Sequence, residues 1–559
     1  MKQINGLLYS QIGYDLGCPM RAIIRSTDPS YVPEGSHFVV KNAETGETAW
    51  QGPLYCWGTI WQSTWWIMDF SQITLPGRYQ ISVERPGVEP LTSGIFEIGD
   101  QLLWSKSIIP VALDQLEIRA KLARNGKGWK DCGSEWRETN SHATTLIGLT
   151  DLLNWGYMYL SAAEVERLVQ QVIVGGNYLA ACQDLAEQSG LGQGAVVHEI
   201  PNHLIVIPGD VVQSATAWAR AARLIYEWDP ARSIDYLNRA EHALRYFLKQ
   251  ARPYGAAGFS HSNHGAPAGF VVPKDWMTRD LMMALWAGVE LWKAGRLWVQ
   301  EEIVRLAREI ISRQVPEEQA EGGLYGHFYL FPGCGFTEKA NTHHHVGHDT
   351  GSTFPHYLTG LIEMARLLYD HPEAQQWREA VRKFAYGYFL PACRSNPFFL
   401  LPEGYFLGEG LLTFCGPWHG INTSIGFAAA LAAQLESFLG DSAFREVAVG
   451  NLQWIAGLHA GITRESLAGC QFWHEDIPEG QALPYCQIYG VGERWVGNWT
   501  GIPGTIPNGF STNPQFQLVV PPTRENDGPW LYTDEDWIPH AAGWISALTH
   551  LRQVRVYRG

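Results

Sequence analysis

The sequence predicts a multidomain fold: an all-β sandwich over residues 1–100, followed by an all-α (α/α)6 barrel over residues 101–559. Three observations point there. Short apolar runs separated by turn residues fill the chain from Gly6 to about Gly99. From about Leu103 the apolar spacing becomes helical, as where Val299, Ile303, Leu306 and Ile310 fall on one face. About twelve helical segments then follow with no fixed repeat period, which favours a closed ring of six hairpins over an open solenoid.

In the first part, Arg21–Arg25, His37–Val40 and Tyr79–Val83 read as strands, with Pro76-Gly77 turning the chain before the last. No cluster of charged or His residues appears there, so structural support is expected from it. In the second part, helices are expected to begin near Trp104, Asn140, Ala163, Val211, Ser233, Thr278, Leu297, Phe354, Glu373, Asn422, Ser442 and Ile538. Gly295, Pro316, Pro391 and Gly440 read as stop signals.

Composition narrows the function. The chain has 559 residues, 46% of them hydrophobic and 17% charged, enough to bury a large core. Its net charge of −15, with no run of Lys and Arg, argues against nucleic acid and anionic membrane surfaces as partners. No stretch approaches the roughly 20 continuous apolar residues of a spanning helix, and no signal-peptide pattern opens the chain, so a cytoplasmic location is expected. Nine cysteines without a C-x-x-C pair read as buried thiols. Neither a cofactor nor a metal is expected. The 24 Trp residues offer flat faces suited to sugar rings as well as to core packing.

If inner and outer helices alternate, the loops entering every second helix emerge on one rim. Those loops are where the chemistry collects. They carry Lys130-Asp131-Cys132-Gly133-Ser134-Glu135-Trp136, His198-Glu199 with His203, and His261, Asn263, His264, Asp275 and Trp276. The remaining three carry His343-His344-His345-Val346-Gly347-His348-Asp349, Trp418-His419-Gly420, and Asp534-Glu535-Asp536-Trp537. The alternate loops, such as Asp370-His371-Pro372, are plainer.

Cleavage of a glycosidic bond with inversion needs two carboxyl groups, one to protonate the leaving oxygen and one to direct water. The first and last of these loops each supply acids and close the ring, which singles out Asp131 and Glu535. Asp534 and Asp536 read as helix N-caps. In the loop from His343 to Asp349, neighbouring imidazoles rarely all point inward, so recognition of sugar hydroxyls by His344, His348 and Asp349 is expected ahead of metal binding. Glu135, His198, Trp276, Trp418, His419 and Trp473 complete the expected substrate-binding set.

Several segments resemble glycoside hydrolase family 9, in its members with an N-terminal immunoglobulin-like domain. Gln11-Ile12-Gly13-Tyr14, Asp69-Phe70-Ser71 and Pro76-Gly77-Arg78-Tyr79 are similar to that accessory domain, and Gly128-Trp129-Lys130-Asp131-Cys132-Gly133-Ser134 to the family's Gly-Trp-x-Asp-Ala-Gly-Asp segment. Thr533-Asp534-Glu535, with Ala542-Gly543-Trp544 downstream, is similar to the segment bearing the general acid. The resemblance implies that Glu535 is the acid and that Asp131 holds the attacking water. It also places Ser134 where the family has its catalytic base, and a serine hydroxyl is no carboxylate. The function expected is inverting hydrolysis of β-linked oligosaccharides with an atypical base. The alternatives are phosphorolysis, in which phosphate replaces the base, and a carbohydrate-binding homologue without catalysis.

Overall fold

The computed structural model describes residues 3–133, 137–200, 203–249, 275–320, 322–329, 355–401, 406–407, 410–411, 422–473, 475–511 and 531–556. A sheet-rich N-terminal region precedes a helical one.

Ten strands form two sheets in the first region: β1 (Asn5–Leu8), β2 (Tyr14–Asp15), β3 (Arg21–Ser26), β4 (His37–Asn42), β5 (Thr48–Pro53), β6 (Tyr55–Ile60), β7 (Ser63–Asp69), β8 (Gly77–Arg85), β9 (Val88–Thr92) and β10 (Phe96–Gly99). One sheet runs β1-β3-β7-β6 and the other β2-β10-β8-β4-β5, with β9 beside β8. The three segments read as strands from sequence lie in β3, β4 and β8. Along β8, Tyr79, Ile81 and Val83 are buried while Gln80 and Ser82 are partly exposed, the period-two signature of a sheet with one covered face.

β3 and β7 are buried on both faces. Ile24, Trp66 and Met68 point into the core between the sheets, whereas Ile23 and Trp65 join the core of the helical region. Alternation thus fastens two cores to one sheet. Polar contacts reinforce the junction: the Arg25 guanidinium, 1% exposed, donates to Ala460 O at 3.0 Å, and Gln11 N–H donates to Ala456 O at 2.8 Å.

Among the described residues, thirteen helices of eight residues or more follow. They are α1 (Leu102–Ile109), α2 (Gln115–Leu122), α3 (Thr139–Asp151), α4 (Ala162–Gln188), α5 (Pro208–Ile225), α6 (Pro230–Lys249), α7 (Thr278–Lys293), α8 (Val299–Ser312), α9 (Thr359–Leu367), α10 (Ala374–Lys383), α11 (Asn422–Leu439), α12 (Ala443–Ile455) and α13 (Pro539–Val556). Helices α3, α5, α7, α9, α11 and α13 touch in sequence, and α13 returns to α3 to close the circle. α5, α7 and α11 are buried nearly all round, as a helix enclosed by others must be. α8 buries only the stripe Val299, Ile303, Val304, Leu306, Ala307 and Ile310, as an outer helix does. None of the described helices is long and apolar enough to cross a membrane.

Two expectations are corrected by proline. The single helix expected near Trp104 is divided, because Pro110 has no N–H to give and begins a π-helical turn, Pro110–Asp114, between α1 and α2. Pro391 does not stop its helix. It follows a π-helical turn, Phe384–Phe389, in a helical run that continues to Cys393.

The ring closes through small residues. Gly426 of α11 and Gly543 of α13 meet backbone to backbone: a Cβ on Gly543 would lie 2.8 Å from Thr423 O and 3.0 Å from Gly426 Cα. Gly148 of α3 faces Ala542 in the same way, its Cβ position 2.9 Å from Ala542 Cα. Backbone atoms cannot step aside, so Gly543→Ala is expected to lower stability by about 1–3 kcal/mol through overpacking, read as a lower thermal midpoint.

Candidate active site

The loops entering α3 and α13 are joined by one buried side chain. Arg119, on α2 and 1% exposed, donates through Nη1 to Lys130 O at 2.9 Å and Asp131 O at 2.8 Å, and through Nη2 to Asp536 O at 2.6 Å and Asp536 Oδ2 at 3.0 Å. Ile538 N–H adds a bond to Asp131 O at 3.1 Å. Acids separated by about 400 positions in sequence are thereby brought together.

Asp131 is buried. Its Oδ2 accepts from Glu138 N–H at 3.1 Å and Ser141 Oγ–H at 2.8 Å, so it caps the entry to α3. Burial, followed by the charge of Glu138, raises its pKa well above the ordinary carboxylate range, against the opposing pull of those two bonds and of Arg119. Oδ1 is buried and has no hydrogen-bond partner among the described residues.

Glu535 is similarly held. Asn508 binds it twice, its backbone N–H to Glu535 O at 2.7 Å and its Nδ2–H to Glu535 Oε2 at 3.0 Å. The Cys132 thiol, next to Asp131 in sequence, also bonds the Glu535 carboxyl. Burial, with the charges of Glu138 and Asp536, raises the Glu535 pKa above the ordinary value, while Cys132 and Asn508 oppose the rise. The carboxyl therefore keeps its proton to higher pH than a free glutamate, as a general acid must.

Neither neighbouring aspartate is a helix cap, and the structure corrects that reading. Asp534 Oδ2 accepts from Phe472 N–H at 2.6 Å, Gln471 N–H at 3.1 Å and Cys470 Sγ–H at 3.0 Å, and its Oδ1 from Trp499 Nε1–H at 2.8 Å. It ties the loops carrying Trp473 and Trp499 beside Glu535, with the Trp499 ring lying against Gly133. Asp536 pairs with Arg119 and accepts from Thr500 Oγ–H.

His198 lies on the short strand Val197–Glu199, within reach of Glu138. Its Nδ1 is 2.7 Å from Asp210 Oδ2 and its Nε2 is 3.7 Å from Glu138 Oε1. Burial works against the imidazolium, but the Asp210 carboxylate, then Glu138, pushes its pKa up to about 10. The charged ring sits between two carboxylates, a role for which a lone His in sequence gives no signal.

Trp473 is half-buried, with Nε1 donating to Glu475 O at 2.5 Å and its ring edge-on to Tyr485. Trp276 is 3% exposed and stacks on Phe247 with ring centroids 4.5 Å apart, so its faces are occupied by packing. Glu135, His344, His348, Asp349, Trp418 and His419, with Ser134 and the rest of the segment from His343 to Asp349, lie outside the described residues. No group of metal-ligating side chains occurs among the described residues.

Glu138, Arg119, Asn508 and His540 are the contributors missed in the sequence. Glu138 carried the one available signal, since it precedes α3 by one residue on the loop already marked by Asp131.

No family model matches the chain, and no curated protein matches it in sequence. Solved structures do match in shape. A metagenome-derived glycoside hydrolase family 9 endoglucanase superposes with a TM-score of 0.61 at 16% identity, covering 98% of each chain. A family 9 protein from Bacteroides ovatus gives 0.63 at 16% identity, again over 98% of both. AaCel9A, described in complex with cellobiose-like isofagomine, gives 0.61 at 15% identity over 98% of this chain and 99% of its own. The polypeptide described above has the fold of family 9 endoglucanases.

Proposed function

We propose that this chain is a glycoside hydrolase cleaving β-linked glucan oligosaccharides with inversion, with residues 1–100 as an immunoglobulin-like sandwich and residues 101–559 as an (α/α)6 barrel. One observation carries the reading: Glu535, a buried carboxyl of weakened acidity, is bonded to the loop that presents Asp131. The family 9 fold supports it, as does the cellobiose-like ligand described for one neighbour.

In this mechanism the Glu535 carboxyl gives its proton to the glycosidic oxygen as the bond to the anomeric carbon breaks. Water enters from the opposite face, directed by Asp131, and its proton passes to the ionised member of the Asp131–Glu138 pair. Ser134 has no carboxylate to offer at the position of the base. Glu138 fits that need because its backbone grips Asp131 while its charge acts on both Asp131 and Glu535. Trp473, with Glu135, His344, His348, Asp349, Trp418 and His419, lines the sugar subsites, while His198 and Trp276 support them by charge and by packing.

The test is to follow cello-oligosaccharides by proton NMR with and without inorganic phosphate. Hydrolysis independent of phosphate, with the α-anomer appearing first, is the expected result. Turnover that requires phosphate would establish phosphorolysis. Binding measured by calorimetry with no turnover under either condition would establish a non-catalytic homologue.

A further inference from the structure

The Glu535 carboxyl is the end of a buried relay that starts at a helix terminus. Thr423, second residue of α11, points its backbone N–H at His540 Nδ1 at 2.9 Å, and its Oγ lies 2.6 Å from the same nitrogen. A backbone N–H only donates, so Nδ1 holds a lone pair and the ring hydrogen is on Nε2. Nε2 is 2.5 Å from Asn508 Oδ1, which must accept. That fixes the amide orientation, and the Nδ2–H end of Asn508 is the end that faces Glu535 Oε2 at 3.0 Å. Every step follows from the one group in the series that has no choice. Thr423, His540 and Asn508 are 4%, 2% and 0% exposed, so water does not compete.

The Gly426–Gly543 crossing sets the register. Thr423 and His540 each lie three residues before one of those glycines, one turn up the same two helices. The close approach of α11 and α13 thus delivers the imidazole to the helix terminus.

We propose that His540 is a positioning residue that acts through Asn508 to keep the proton of Glu535 on Oε1, available to the leaving group. Without the His540 donor, the orientation of the Asn508 amide is no longer set from the side away from Glu535. Its carbonyl would then face Glu535 and accept the acid proton that the glycosidic oxygen needs. The proposal rests on the glycosidase reading above. The titratable groups that act most on Glu535 among the described residues are Cys132 and Glu138 from the loop entering α3, and Asp536 from its own loop. Substitution at His540 leaves all three in place.

The experiment compares His540→Leu, which removes the donor, with His540→Gln, which keeps one. Two substrates are used: cello-oligosaccharides, whose leaving group needs protonation, and 2,4-dinitrophenyl β-cellobioside, whose leaving group does not. His540→Leu is expected to lower kcat on cello-oligosaccharides about 10- to 100-fold with little change in KM, and to move the basic limb of the pH profile upward. It should cost less than about threefold on the activated substrate, and His540→Gln should recover most of the loss. Equal loss on both substrates would mean a merely structural role and overturn the proposal, as would unchanged kcat and pH profile. If wild-type protein turns over neither substrate, the glycosidase reading fails, and the relay is judged by the 15N shifts of labelled His540. Nε2–H with a bare Nδ1 supports it, and an Nδ1–H or doubly protonated ring overturns it.

Discussion

Glu535→Gln is expected to lower kcat on cello-oligosaccharides by about 100- to 10,000-fold while KM changes little, the range that positioned proton transfer contributes. The amide matches the carboxyl in shape and keeps an acceptor for Asn508, so the loop should hold its course. What is lost is the proton. The basic limb of kcat/KM, which in the wild type falls as Glu535 ionises at a pH above the ordinary carboxyl range, should disappear. Stability supplies a second readout. The folded carboxyl is a weaker acid than the unfolded one, so its contribution is fully present below the unfolded pKa and is lost as pH rises through the folded value. Gln cannot ionise, so near pH 8 the variant should melt no lower than wild type. Unchanged turnover on cello-oligosaccharides would remove Glu535 from the mechanism.

Arg119→Met is expected to cost about 3–5 kcal/mol, the usual penalty for leaving one member of a buried ion pair alone. Met fills the apolar stem but supplies no donors. Asp536 would keep a buried carboxylate with Thr500 and Thr505 in place of a cation, and the carbonyls of Lys130, Asp131 and Asp536 would each lose a bond. Lysine is no substitute, because a single ammonium cannot span both loops as the planar guanidinium does. Thermal or urea unfolding measures the loss, and a midpoint within error of wild type would contradict it. Activity should fall as well, since the same side chain holds the Asp131 and Glu535 loops together.

Period-two and period-3.6 patterns made most elements legible, because burial on one face leaves its mark directly in the residue order. β8 and α8 are the clearest cases. The exceptions lay at Pro110 and Pro391, where π-helical turns absorb a proline that local rules read as a break or a stop. Asp131 and Glu535 could be proposed from the sequence because each sits in a short segment of recognisable composition. Arg119 could not. It lies in a short helix with no clear apolar face, and its meaning depends on Asp536, 417 positions away. Asn508 and His540 were hidden for the same reason, since a hydrogen-bond relay between side chains has no period. Asp534 and Asp536 misled because an acid just before a helix resembles a cap, and only the folded loops show other donors reaching them first.

The closing contact of the circle bears on how the protein is made. The ribosome completes α3 and α11 before α13, the element that buries the facing sides of both. Until α13 emerges, the nascent chain presents an apolar seam flanked by Gly148 and Gly426. Docking of α13 then seals the seam and brings the loop of Glu535 against that of Asp131. Chains halted just short of it would leave that seam exposed, natural clients for chaperones and proteases.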